Sequence, residues 1–166
     1  MNNKLVISPY DERWPEDFKT EQSLLLTAFE NESVQIEHIG STAVPKLSAK
    51  PIIDIMAGVQ SLAYAESLIA GLNVLGYEYV SKFETQLPDR RYFRTPNRHL
   101  HCVKLGSPFW IDQLLFRDFL RNNPEVAEDY SALKKSLAEK HSRNHRAYTK
   151  GKSDFISSVL RRARPH

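Results

Sequence analysis

The sequence predicts a mixed α/β (α+β) protein, with a small, mostly antiparallel sheet backed by helices and a helical portion at its C-terminal end. Three observations carry this expectation. Residues 34–39 alternate apolar and polar side chains with the two-residue period of a half-buried strand. Residues 52–56 (IIDIM) form a short, apolar, β-branched run of the kind that makes a buried strand. From Ser107-Pro108 onward the chain shows helix starts and apolar stripes at helical spacing, with no strand pattern.

Taken in order, Leu5-Val6-Ile7 reads as a short opening strand and Pro9-Tyr10-Asp11 as a turn. Pro15 suits the first residue of a helix over 15–30, whose inner face would carry Phe18, Leu25, Leu26 and Phe29. Tyr10 and Trp14, just ahead of it, are either core or a platform for a base or sugar. After the strand at 34–39, Gly40 permits a tight turn, and Ser41 and Thr42 add hydroxyls beside backbone N–H groups, a combination suited to phosphate. Pro45 and Pro51 punctuate the loop leading to the strand at 52–56.

That strand holds one acid, Asp54. A carboxylate in an apolar run is costly unless paired, hydrogen-bonded or bound to a metal. It is therefore either a functional group or a structural cap on the loop.

Leu62, Ala65, Ile69 and Leu72 mark a helix ending near Gly76, followed by strands at 77–80, 90–94 and 99–104. Arg91 and Arg94 could hold phosphate through the guanidinium fork or could simply edge the sheet in solvent. Alternation puts His99 and His101 on one face, opposite Leu100 and Cys102. Such a pair can bind metal, carry a proton or pack as core. The helix over 108–122 is so apolar that burial on most sides is expected, with Arg117 and Asp118 paired or reaching the cleft. Asn123-Pro124 opens another helix. Asn144 caps a last one on which Tyr148, Lys152, Phe155 and Val159 share a face, and residues 161–166 are expected to fray. Lys152 reaches a phosphate as a point charge or stays solvated at the rim.

The bounds are modest. A chain of 166 residues suits one domain, 1–166, and a net charge of +3 gives only a mild preference for anions. One cysteine, Cys102, excludes an internal disulfide and a cysteine-based zinc cluster. No signal peptide or membrane-spanning run is evident, so a cytoplasmic location is expected. Steep salt-dependent nucleic-acid binding is not expected, because the basic C-terminal residues are not interleaved with aromatics. The oligomeric state is left open.

Several ordered motifs also resemble one family. EHIGSTAVPKLSAKPIIDI, preceded by SPYDERWPEDF and followed by DRRYFR, HLHCVKLGSPFW, FRDFLR and YTKGKSDFI, is similar to the GrpB family of the nucleotidyltransferase superfamily. The resemblance runs through nearly the whole chain. It implies a nucleotidyltransferase-like fold in which a Gly-Ser turn precedes an Asp-x-Asp pair, with a third acid on a neighbouring strand. Those three acids hold two divalent metals against a nucleoside triphosphate. Here Gly40, Ser41 and Asp54 match, Met56 stands at the second acid, and a histidine stands near the third.

The resulting expectation is an enzyme acting on a nucleotide or phosphorylated small molecule. Asp54 and His101 would be catalytic, while Gly40, Ser41, Thr42, Arg91, Arg94 and Lys152 would bind phosphate. A divalent metal (Mg, Mn or Zn) would sit on Asp54, His99, His101 and His38, the imidazoles favouring manganese, zinc or iron over magnesium. The alternative is a non-catalytic nucleotide- or coenzyme-binding module that has lost the second acid.

Overall fold

The computed structural model describes residues 4–30 and 33–165. Five strands form one sheet in the order β1-β2-β5-β4-β3. The strands are β1 (Gln35–Ile39), β2 (Ile53–Val59), β3 (Glu78–Tyr79), β4 (Arg90–Arg94) and β5 (Arg98–Lys104). Only β2 and β5 run parallel; the other neighbours are antiparallel. β2 lies between β1 and β5 and is buried on both faces except at Asp54, which explains its nearly continuous apolar sequence.

The two faces have different covers. Ile36, Ile53, Ile55, Leu100, Cys102 and Phe93 point to one side. There they pack under α1 (Trp14–Phe29), α2 (Leu62–Ser67) and α3 (Ile69–Val74). The opposite face is covered in part by α4 (Pro108–Asn122), where Trp110 closes over Ile39, Met56 and Val103. A Cβ on Gly58 would lie 2.7 Å from the Trp110 ring, so the missing side chain lets α4 approach β2. Beyond α4, the helices α5 (Pro124–Lys140), α6 (His145–Gly151) and α7 (Ser153–Ala163) build a helical flank. Val44 and Leu47 of the loop between β1 and β2 are packed into it.

Several local expectations are corrected by these contacts. Leu5–Ile7 is not a strand: Leu5 N–H bonds the carbonyl of Ser142, and the segment meets the fold through an isolated bridge between Ser8 and Ala49. On α1, Leu26 is 44% exposed while Glu21 is buried, because Glu21 accepts from the Tyr77 hydroxyl at 2.8 Å and pairs with Arg98. Tyr10 and Trp14 pack edge-to-face against each other and Trp14 is buried, so they belong to the core.

The single helix expected over 62–76 is two short ones, divided at Leu68. The last helix is likewise divided, with Lys152 at the junction of α6 and α7. On α4 only Trp110 and Leu120 are buried, so this helix covers the sheet with one face and leaves Ile111 half exposed. Arg117 pairs with Glu37 and Asp118 rather than entering the cleft. The C-terminal end is pinned through residue 164, since Arg162 lies over Phe119 and Arg164 pairs with Asp112; His166 lies outside the described residues.

Candidate functional site

The carboxylate of Asp54 lies where β1, β2 and β5 meet, in register with Ile39 and His99. Gly40 follows Ile39 with φ of 72° and ψ of −172°, a conformation open essentially to glycine. A Cβ there would stand 2.6 Å from Asp54 Oδ2, so the turn can pass the acid only because residue 40 has no side chain. The Gly-Ser turn and the lone acid read from the sequence are thus brought into contact.

His99 Nδ1 and His101 Nε2 each lie 3.4 Å from the same oxygen, Asp54 Oδ1. The other nitrogen of His101, Nδ1, is 3.0 Å from Arg90 Nη1. Arginine can only donate, so His101 Nδ1 accepts and Nε2 carries the proton that it donates to Asp54. Burial lowers the His101 pKa and keeps the ring neutral. Burial alone would raise the Asp54 pKa, but hydrogen bonds from His101 and His99 outweigh it and hold the carboxyl well below the usual range. Tyr92 fixes the rings from behind, stacked on His101 at 5.3 Å and edge-on to His99 at 5.5 Å.

Asp54 opens into a cavity of about 530 Å³ whose walls carry Lys50, Lys134, Lys152 and Arg90. Lys134 is 2% exposed. It donates to Ser41 Oγ at 2.8 Å and to the carbonyl of Ser48. Lys50 and Lys152 both face the ring of Tyr148, at 5.1 and 4.5 Å from its centroid. Burial, and then repulsion from Lys152 and Lys50, brings the Lys134 pKa down to about 7. Burial and the neighbouring Lys50 bring Lys152 down to about 8. Four basic groups converge on one carboxylate, a charge imbalance that an anion entering the cavity would relieve.

The sequence-derived site is therefore assembled in part. Ser41, Thr42, Asp54, His99, His101 and Lys152 all line the cavity, and Gly40 lies against Asp54. Arg91 does not take part: in register with Cys102, it points to the opposite face and pairs with Glu66 at 2.6 Å. Arg94 sits on the His99 side of the sheet, but its guanidinium turns outward to Glu78 at 2.9 Å.

His38 is corrected too. It faces away from Asp54, stacked on Phe18 at 4.7 Å, with Nε2 2.9 Å from Thr42 Oγ1. Burial, reinforced by Arg121, drops its pKa to about 4, so it is a neutral strut for the turn, set on the face of the sheet opposite Asp54.

Among the described residues, no group of three or more His, Cys, Asp or Glu side chains is arranged to hold a metal ion. The donor set explains this. His101 presents a protonated nitrogen to Asp54, and Met56, at the second-acid position, is sealed under Trp110. The residues present do not form a ready two-metal site.

Three contributors escaped the sequence reading. Arg90 was legible in principle, since it shares the two-residue period of Tyr92 and so lies on the His101 face. Lys134 follows Tyr130 by one helical turn, and a lysine on that buried stripe was the available signal. Lys50 lies in an irregular loop and gave none.

A sheet of this order flanked by helices, with a Gly-Ser turn beside a strand carboxylate, is a nucleotidyltransferase-like fold. The family model described as "GrpB protein" matches residues 4–162, and the chain belongs to the GrpB family. It is 34% identical to the glutamate-rich protein GrpB of Alkalihalophilus pseudofirmus, over 95% of this chain and 94% of that protein. It is 36% identical to the UPF0157 protein YqkA of Bacillus subtilis over 97% of its own length, but spans only 48% of YqkA.

Among solved structures, the conserved protein GrpB of Enterococcus faecalis superposes with a TM-score of 0.86 at 35% identity, covering 95% of this chain and 96% of that one. The Cid1 poly(U) polymerase, in a structure bound to MgGTP, superposes with a TM-score of 0.53 at 16% identity, over 80% of this chain and 44% of Cid1. That likeness is one of fold. No helix among the described residues is long and apolar enough to cross a membrane.

Proposed function

We propose that the cleft binds the phosphates of a nucleotide or phosphorylated small molecule, and that the protein transfers a nucleotidyl or phosphoryl group of that ligand. The observation that carries the reading is the set of Lys50, Lys134, Lys152 and Arg90 around one cavity containing a single carboxylate. Lysines act there as point charges and Arg90 as a donor fork, the two ways proteins usually hold phosphate oxygens. Asp54, kept anionic by two imidazoles, would orient the reacting group or a divalent cation (Mg, Mn or Zn) that enters with the phosphates.

A second reading, a nucleotide- or coenzyme-binding module without chemistry, is favoured by one feature. Met56 and Trp110 close the place where a second acid would stand. The two readings share the ligand and differ in turnover.

The test has two arms. Thermal shift with tripolyphosphate and the four ribonucleoside triphosphates, with and without Mg, Mn or Zn, is expected to raise Tm by mass action. Radiolabelled nucleotide is then followed for release or transfer in the wild type and in Asp54→Asn. Turnover lost in Asp54→Asn with binding retained supports the enzyme. Binding without turnover in either protein supports the module, and no shift with any anion rejects both.

A further inference from the structure

A second cavity, about 670 Å³ and lined mostly by apolar surface, adjoins the cationic one and shares Arg90 and Phe109 with it. Leu62, Leu87, Pro88, Leu105 and Pro108 provide most of its wall. It lies at the end of the sheet where β5 leaves through Leu105-Gly106 into α4, beside the turn that enters β4. Leu87 is 41% exposed at its mouth, although its backbone is tied on both sides: its N–H bonds Phe83 O, and its carbonyl accepts from Arg90 N–H.

We propose that this cavity is the subsite for a flat, uncharged ring on the phosphorylated ligand, a nucleobase or its equivalent. The proposal rests on the phosphate reading above and extends it to the rest of the substrate. Two features favour one occupant spanning both chambers. The chemistry differs between them, with Lys50, Lys134 and Lys152 beside Asp54 in the first and mainly apolar side chains, edged by Gln86, Asp89 and Lys104, in the second. The junction is made of two planar groups, the Phe109 ring, 6.0 Å from His101, and the Arg90 guanidinium, whose inner side rests on Tyr92 at 4.9 Å. Planar groups at a junction suit stacking on a ring. Arg90 Nε is moreover buried without a hydrogen-bond partner, a polar atom left over at the boundary between the chambers.

The test uses calorimetric titration of the full chain with tripolyphosphate and with ATP, GTP, CTP and UTP, in the wild type and in Leu87→Asn. Leu87 lies outside the buried core, and asparagine adds no charge beside Arg90, so this variant is expected to fold and to keep its polyphosphate affinity. At least one nucleotide should bind about tenfold tighter than tripolyphosphate, and Leu87→Asn should shrink that margin severalfold while leaving tripolyphosphate unchanged. Equal affinity of tripolyphosphate and all four nucleotides overturns the subsite, and so does a margin that survives Leu87→Asn. Failure of tripolyphosphate and every nucleotide to bind would instead remove the phosphate reading and this subsite with it.

Discussion

Lys134 Nζ lies 2.8 Å from Ser41 Oγ, joining the middle of α5 to the turn after β1 across 93 residues of sequence. The same ammonium bonds the Ser48 carbonyl, so one side chain ties two points of the loop between β1 and β2 to the helical flank. The loop therefore takes its shape from a helix that comes much later in the chain.

Replacing that lysine removes the charge and the tie together. Lys134→Met keeps the volume but leaves the Ser48 carbonyl without its donor, so a stability loss of about 1–3 kcal/mol should accompany a roughly tenfold or greater drop in tripolyphosphate affinity. In the wild type the same affinity should rise as pH falls from 9 to 6. Lys152 gains its proton near about 8 and Lys134 near about 7, and only the protonated amines attract an anion. Binding should accordingly take up protons, measurable by titration in two buffers of different ionisation enthalpy. A pH-independent affinity would place the anion elsewhere.

His38 makes acid sensitivity local. Its pKa is about 4 in the fold against 6.5 when free, so the unfolded chain binds the proton first. The stability gained from the neutral ring is full above about pH 6.5 and is lost as pH falls towards about 4. Over that window the loss approaches about 3 kcal/mol. Denaturant titrations at pH 7 and pH 4.5 should show this slope, and His38→Gln should flatten it. Asp54 acts at lower pH: its depressed pKa contributes stability that is lost only below the ordinary carboxylate range.

Gly40 should tolerate no side chain. Gly40→Ala combines a positive φ of 72° with a Cβ 2.6 Å from Asp54 Oδ2. A loss of about 1–3 kcal/mol is expected from the backbone conformation alone. Displacement of Asp54 should also weaken ligand binding, which titration of the folded fraction would detect. An alanine variant of wild-type stability would show that the turn relaxes easily.

Arg90 and Arg91 are adjacent and should behave oppositely. Arg90→Ala removes a cavity cation and frees the His101 tautomer, so ligand affinity should fall severalfold or more. Arg91→Ala breaks pairs with Glu66 and Glu84 on the far face and a bond to the Pro88 carbonyl, so it should leave tripolyphosphate affinity unchanged while costing about 1–2 kcal/mol of stability. The comparison needs only the two titrations under one set of conditions.

Much of the architecture was legible because it depends on short-range pattern. The alternation at 34–39, the apolar run at 52–56 and the paired histidines at 99 and 101 each set side-chain direction through the strand period. Cover by the sheet and helices then followed. Asp54 stood out for the same local reason, a charge in an apolar strand. Boundaries were less legible where tertiary contacts override local tendency: Leu5–Ile7 spends its backbone on Ser142 and Ala49, and Leu26 yields the inner face of α1 to Glu21.

The sequence alone determined the strand that carries the acid, the glycine turn that meets it and the face shared by His99 and His101. These follow from backbone geometry over a few residues. Only the folded chain decided that Arg90 rather than Arg91 joins them, that His38 turns away, and that Lys50, Lys134 and Lys152 gather in one cavity. Which arginine enters the site depends on strand register, and which lysines meet depends on how α5 and α6 pack against a loop some 90 residues earlier. No periodicity encodes such distances, because they are set by the packing of the whole core.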